Sequence, residues 1–285
     1  MAAPLWKFAD HTIDFRLGSL LMGVLNVTPD SFSDGGQFFD TDAAVAQGQR
    51  MIAEGARIID IGGESTRPGA EAVAGGEELR RVLPVIEKLR TAKTTAWLSV
   101  DTAKAAVARH ALDAGAEIIN DITGGTGDPA MMPLAAERGA GFIIMHMQGT
   151  PRTMQNDPQY DDVVAEVRDF FRQQYARALD CGIDSMAIAF DPGIGFGKAL
   201  QHNLELLRNL PQLRIHERPL VVGVSRKSFL GKIADTLDMA DRMAPTVAFT
   251  ALLRERGADV IRVHDVKPNF AALRTAEALL GRAAL

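Results

Sequence analysis

The amino-acid sequence predicts a (β/α)8 TIM barrel that occupies residues 1–285 as one domain. Three observations lead there. A unit recurs in which a helix-like stretch closes on glycine, a short apolar and β-branched run follows, and a polar residue ends the run. About eight such runs are separated by helical segments, close to the number and length that this barrel needs. Nearly every run also ends in a side chain able to bind something, and a barrel gathers all its strand ends on one rim.

Taken in order, the runs are "SLLMGVLN", ending at Asn26; "EGARIIDIGGES", with Asp60 and Glu64; "TAWLSVD", ending at Asp101; and "DAGAEIINDITGG", with Asn120 and Asp121. "ERGAGFIIMHMQG" follows with His146, then "DCGIDSMAIAFDPG" with Asp191, "RPLVVGVS" with Ser225, and "ERGADVIRVHDV" with Arg262 and His264. Runs that are apolar throughout suit parallel strands buried on both faces. Gly55, Gly115, Gly139, Gly182 and Gly257 stand where a left-handed residue would close a helix before its strand. "AAVARHALDAG" and "TVAFTALLRERG" read as two of the intervening helices. Residues 148–159 read as a long rim loop, and Asp161 and Asp162 open the helix after it. A doubly wound sheet is the rival, but it would concentrate polar residues after only two or three strands. No proline-rich linker or shift in composition divides the chain.

Composition narrows the function. The net charge is -5, from 31 basic and 36 acidic residues with no long run of either sign, which argues against nucleic-acid binding as the main activity. Cys181 is the single cysteine, so neither an internal disulfide nor a thiolate metal cluster is available. The run from Leu20 to Val27 falls far short of the roughly 20 residues of a membrane span, and the first residues lack a signal-peptide core. The expectation is a cytoplasmic protein with no membrane partner.

Asp101, Asn120 and Asp191 place acceptors on three strands. A carboxylate can accept two parallel N–H bonds, and a neighbouring amide both donates and accepts, so the set suits a guanine-like heterocycle. Asp191 precedes Pro192 and could instead start a turn. "GIGFGK" fits neither the dinucleotide nor the phosphate-loop template, and its glycines are expected to let the backbone approach a flat ligand, with Phe196 as an aromatic wall. Arg67, Arg226, Lys227, Arg262 and His264 also follow strands, and a cationic group beside the acceptors suggests a ligand with an anionic tail such as a diphosphate. The histidines offer no metal-type pair for zinc, whereas Mg2+ needs few protein ligands and Asn26 could supply one oxygen.

The ordered motifs "GVLNVTPDSFSDGG", "IDIGGESTRPGA", "SVDT", "IINDITG", "MHMQG", "DPGIGFGK", "GVSRKSF" and "RVHD" resemble those of the dihydropteroate synthase family, the targets of sulfonamides, over the whole barrel. The resemblance implies a homodimeric enzyme of folate biosynthesis that joins 6-hydroxymethyl-7,8-dihydropterin diphosphate to para-aminobenzoate and releases diphosphate. It further implies that Asp101, Asn120, Asp191 and Lys227 hold the pterin, with Met145 and Arg262 packed on its ring. Asn26, Thr66, Arg67, Arg262 and His264 would receive the diphosphate and Mg2+, and Phe32, Pro68, Phe196, Lys227 and Ser228 would wall the aminobenzoate pocket. Asn26, Lys227, Arg262 and His264 would carry the chemistry. The polar loop after Asn26 would then close over the substrates, with Phe32 and Asp34 helping to build the second pocket. Two alternatives bind the same ring system: a methyltetrahydrofolate-corrinoid methyltransferase, which has no use for "TPDSFSDGG" or "SRKSF", and a non-catalytic pterin-binding protein. The helix from Ala244 to Leu253 is a candidate dimer surface.

Overall fold

The structure, a computed structural model, describes residues 4–28, 41–66, 69–236 and 238–282. Among them an antiparallel hairpin, β1 (Leu5–Phe8) and β2 (His11–Asp14), precedes eight parallel strands. These are β3 (Leu20–Asn26), β4 (Ile58–Gly62), β5 (Trp97–Asp101), β6 (Ile118–Asp121), β7 (Gly141–Met145), β8 (Ile188–Asp191), β9 (Val221–Gly223) and β10 (Val260–Val263). Their order in the sheet is β8-β7-β6-β5-β4-β3-β10-β9, and a parallel bridge between Phe190 and Leu220 joins the two ends. The expected barrel is therefore closed.

Helices return the chain between strands: α1 (Thr41–Ala53), α2 (Gly75–Thr91), α3 (Ala105–Asp113), α4 (Met131–Arg138), α5 (Val163–Asp180), α6 (Leu200–Arg208), α7 (Ser228–Ala234), α8 (Met243–Glu255) and α9 (Val266–Leu279). The five glycines expected to close helices all have positive φ. Asp162 caps α5 as its position suggests, accepting from the amides of Val164 and Ala165. No helix among the described residues is long and apolar enough to cross a membrane.

Alternation along each strand divides the apolar residues into two sets. Leu21, Leu25, Ile59, Ile61, Leu98, Val100, Ile119, Phe142 and Ile144 face the helices. Leu20, Met22, Ile58, Ile118, Ile143, Ala189, Val221 and Val260 face inward and fill the barrel near the starts of the strands. Trp6, Phe8, Ile13 and Phe15 of the hairpin belong to this inner set and close the barrel floor. Trp6 is fully buried, meets Phe8 edge to face at 5.0 Å, and donates from Nε1 to the carbonyl of Ala187 at 2.8 Å. Arg218 reaches the carbonyls of Leu5 and Ser185 from beside the hairpin. This plug was not expected from the sequence; without it the inner apolar layer would open to water.

The last helix also secures the floor. Glu277 on α9 accepts from the amide of Ser19 at 2.7 Å and pairs with Arg254 of α8 at 2.6 Å, both side chains being buried. A carboxylate is tolerated there because it has a charged partner and an N–H donor.

Candidate active site

Apolar residues fill the lower barrel, but the inward positions higher on the strands are polar. Asp60, in the middle of β4, is fully buried. Its Oδ1 accepts from Ser99 Oγ at 2.7 Å, and its Oδ2 accepts from Asn120 Nδ2 at 2.9 Å and from Arg262 Nε at 2.7 Å. The same guanidinium donates from Nη2 to Asp101 Oδ2 at 2.7 Å. Arg262 thus ties a carboxylate deep in the barrel to one at the rim. Burial alone would lower the Arg262 pKa, but Asp60 and Asp101 outweigh it and raise the pKa above its ordinary value. Burial and the neighbouring Asp60 push Asp101 up to about 7, against the pull of Arg262.

Donation to Asp60 fixes the amide of Asn120 and leaves its Oδ1 buried without a partner. A buried acceptor in that state favours a ligand carrying an N–H group.

Asp191 ends β8 and accepts from the amide of Gly193 at 2.7 Å. Burial raises its pKa, while the ammonium of Lys227 and the Gly193 amide act in the opposite direction. Both roles considered for Asp191, turn former and rim acceptor, are therefore compatible: one oxygen starts the turn and the side chain faces a cation. Lys227 donates to the carbonyl of Ile194 and lies over the Phe196 ring, 4.8 Å from its centroid. Desolvation lowers Lys227 to about 8.

The glycines of "GIGFGK" meet protein rather than open ligand space. A Cβ on Gly193 (φ 62°) would lie 1.9 Å from the carbonyl oxygen of His146, and one on Gly197 would lie 2.3 Å from that of Gln148. Their absence of side chains lets the loop after β8 pack onto the loop after β7. Gly193→Ala should therefore cost at least about 1–3 kcal/mol from backbone strain alone, measurable as a lowered urea midpoint. An unchanged midpoint would mean that the contact relaxes freely.

The other expected residues are distributed as follows. Met145 pairs with Asp191 across β7 and β8, and Asn26 is in register with Gly62 at the top of β3. Gly62 and Gly223 occupy inward positions beside Asp101 and Arg262, leaving room above the polar network. The His264 amide donates to Ser225 Oγ at 3.2 Å, which lets that hydroxyl donate to His264 Nδ1 at 3.0 Å. Thr66 follows β4 and is partly buried, while Ser228 is exposed at the start of α7. Arg67, Pro68, Phe32 and Asp34 lie outside the described residues.

Three other residues grouped with the rim by sequence have different partners. Arg226 does not join the cationic group: with φ 59° it turns outward and pairs with Asp265 at 2.5 Å. Asp121 accepts from Thr123 and Gly125 within its own turn. Glu64 pairs with Lys104 and accepts from the amide of Val73 at 2.9 Å. Asp60 lies one layer below the strand ends among which the sequence placed it, and neither Ser99 nor Lys198 was assigned to the site. A carboxylate between Ile59 and Ile61 was the available signal for Asp60, because inside a doubly buried strand it requires a partner.

The family model described as pterin binding enzyme matches residues 22–264. The chain is 47% identical to a dihydropteroate synthase of Synechocystis sp., covering 93% of this chain and 92% of that protein. The crystal structure of the Yersinia pestis dihydropteroate synthase with a sulfonamide drug complex matches with a TM-score of 0.91 and 44% identity, covering 97% of this chain and 99% of that one. The Xanthomonas albilineans dihydropteroate synthase with 4-aminobenzoic acid gives a TM-score of 0.90 at 43% identity, covering 98% of each chain.

Proposed function

The chain belongs to the pterin-binding enzymes, among the dihydropteroate synthases, and from that premise we propose how its rim residues divide the reaction between them. The enzyme is a transferase of folate biosynthesis: the arylamine of 4-aminobenzoate displaces diphosphate from the methylene carbon of 6-hydroxymethyl-7,8-dihydropterin diphosphate, giving 7,8-dihydropteroate. As the carbon–nitrogen bond forms, the carbon–oxygen bond breaks and the amine gives up a proton.

In this reading Asp101, Asn120 and Asp191 take the N–H-rich edge of the pterin, Lys227 donates to it, and Met145 and Arg262 pack on its faces. The buried, unpartnered Oδ1 of Asn120, held between acidic neighbours, is the observation that carries the assignment. Asn26, Thr66, Arg67, Arg262 and His264 receive the diphosphate. Two of the five guanidinium N–H groups of Arg262 already hold Asp60 and Asp101, so the side chain is oriented before any substrate arrives. Phe32, Pro68, Phe196, Lys227 and Ser228 form the aminobenzoate wall. The amine is already nucleophilic, so the residues act chiefly by stabilising charge on the departing diphosphate, with Asn26, Lys227, Arg262 and His264 placed for that role.

A magnesium ion fits the donor set. The Asn26 amide offers a hard oxygen, and no group of three or more His, Cys, Asp and Glu side chains gathers among the described residues to form a full protein cage. That suits an ion completed by water and phosphate oxygens. When bound, it would neutralise charge developing on the diphosphate. A cytoplasmic location and a homodimer complete the reading; exposed Leu252 on α8 supports a contact between copies on that helix.

Incubation of the purified protein with the pterin diphosphate, magnesium and radiolabelled 4-aminobenzoate should place label in a pteroate. Failure to incorporate label would overturn the reading. Because Lys227 donates most strongly as the ammonium and burial holds its pKa near 8, kcat/KM for the pterin substrate should fall as pH rises through about 8. Lys227→Arg should move that decline to higher pH, and a profile unchanged by the substitution would remove Lys227 from this role.

A further inference from the structure

The loop after β8 is held by a row of donors. The carbonyl of Ile194 accepts from Lys227, that of Gly195 from Gln155 Nε2 at 2.6 Å, that of Phe196 from Lys198 Nζ at 2.9 Å, and that of Gly197 from Tyr160 Oη at 2.8 Å. Four successive carbonyls thus take four side chains. Lys198 is the unusual member because it is 2% exposed and its three contacts are all to neutral acceptors: the Phe196 carbonyl, the His146 carbonyl at 3.2 Å, and His146 Nδ1 at 3.0 Å.

A buried ammonium without a bonded carboxylate is costly, and an apolar side chain of similar length could fill the space. Burial lowers Lys198 to about 7, while Asp191 acts to raise it. Burial and the same ammonium hold His146 down to about 3, so its ring is neutral and Nδ1 is free to accept. What the three donors achieve is geometric: they tie the end of β7 to the peptide that carries Phe196. The Phe196 ring is only partly buried and lies under the Lys227 ammonium, so its placement depends heavily on its own backbone.

We propose that Lys198 is a positioning residue for the arylamine pocket, fixing the Phe196 carbonyl against the His146 segment and thereby setting the ring on which 4-aminobenzoate rests. The inference rests on the assignment of Phe196 to that pocket. Lys198 itself touches neither substrate. Its hydrogen bonds should therefore act on one substrate, while the other feels Lys198 only through the pull of its charge on Asp191.

A double-mutant cycle on the full-length enzyme tests this. Lys198→Met keeps the length and removes all three donors, and should raise the KM for 4-aminobenzoate on the order of tenfold, the usual consequence of leaving buried acceptors unmet. The Kd of the pterin diphosphate, titrated calorimetrically without the arylamine, should change by less than about twofold on the same grounds. Lys198→Gln restores a neutral donor and should recover part of the loss; it also serves the same cycle if the methionine variant does not accumulate folded. Phe196→Ala should raise the aminobenzoate KM by itself, and Phe196→Ala/Lys198→Met should be no worse than Phe196→Ala alone. Additive losses in the double variant, parallel losses for both substrates, or no change in Lys198→Met would overturn the role of Lys198. If Phe196→Ala leaves the aminobenzoate KM untouched, the pocket assignment itself fails and the inference falls with it.

Discussion

Arg262→Met should destabilise the protein by about 3–5 kcal/mol and lower kcat by on the order of a hundredfold or more. The guanidinium compensates Asp60 and Asp101 together, and methionine would leave both carboxylates in the barrel with only neutral donors on one of them. A proton would then be retained on Asp101 in the folded state, because its carboxyl is already pushed upward by burial and by the neighbouring Asp60. The sign of the pH dependence follows from linkage. A carboxyl whose pKa is higher when folded than when unfolded gives stability at low pH and loses it as pH rises through the folded value. The variant should consequently be more stable to urea near pH 5 than near pH 8, with a steeper dependence than the parent. Arg262→Lys should not rescue it, since one ammonium cannot reproduce the planar fork. A loss below about 1 kcal/mol with a flat pH profile would show that the network holds without its cation.

Trp6→Ala should cost about 3–5 kcal/mol and lower the melting temperature by roughly 10 °C, while leaving kcat and both KM values near those of the parent below the transition. The side chain fills the barrel floor, far along the strands from the rim, and also satisfies the Ala187 carbonyl. Removing it creates a cavity and a buried unmet acceptor at once. Thermal denaturation combined with kinetics at low temperature separates the two outcomes. A large kinetic defect in folded protein would mean that the floor and the rim are mechanically coupled.

The eight barrel strands were legible because each is a short, doubly buried run with a polar stop. The hairpin was not, because its strands have four residues each and the turn at Ala9 and Asp10 lacks a glycine or asparagine signal. Its period-two pattern, Trp6 with Phe8 and Ile13 with Phe15, is visible once the plug is known. At the rim, polar strand ends singled out Asp101, Asn120 and Asp191, which lie on inward positions of their strands, but the same appearance included Asp121 and Glu64, which serve local turns and an ion pair. Sequence does not say which way a side chain at a strand end turns. Arg226 and Lys227 are neighbours, yet backbone geometry sends one to Asp265 and the other over Phe196. Lys198 was illegible for a different reason: its acceptors are carbonyls and a ring nitrogen on other segments, and carbonyls leave no trace in residue identity.

The floor has one further consequence. The chain enters the barrel through the hairpin, and α9 returns from the rim to meet Ser19 beneath the first barrel strand. Both the entering and the departing backbone therefore lie at the pole opposite the chemistry. Substrate traffic across the rim is therefore spared both backbone crossings.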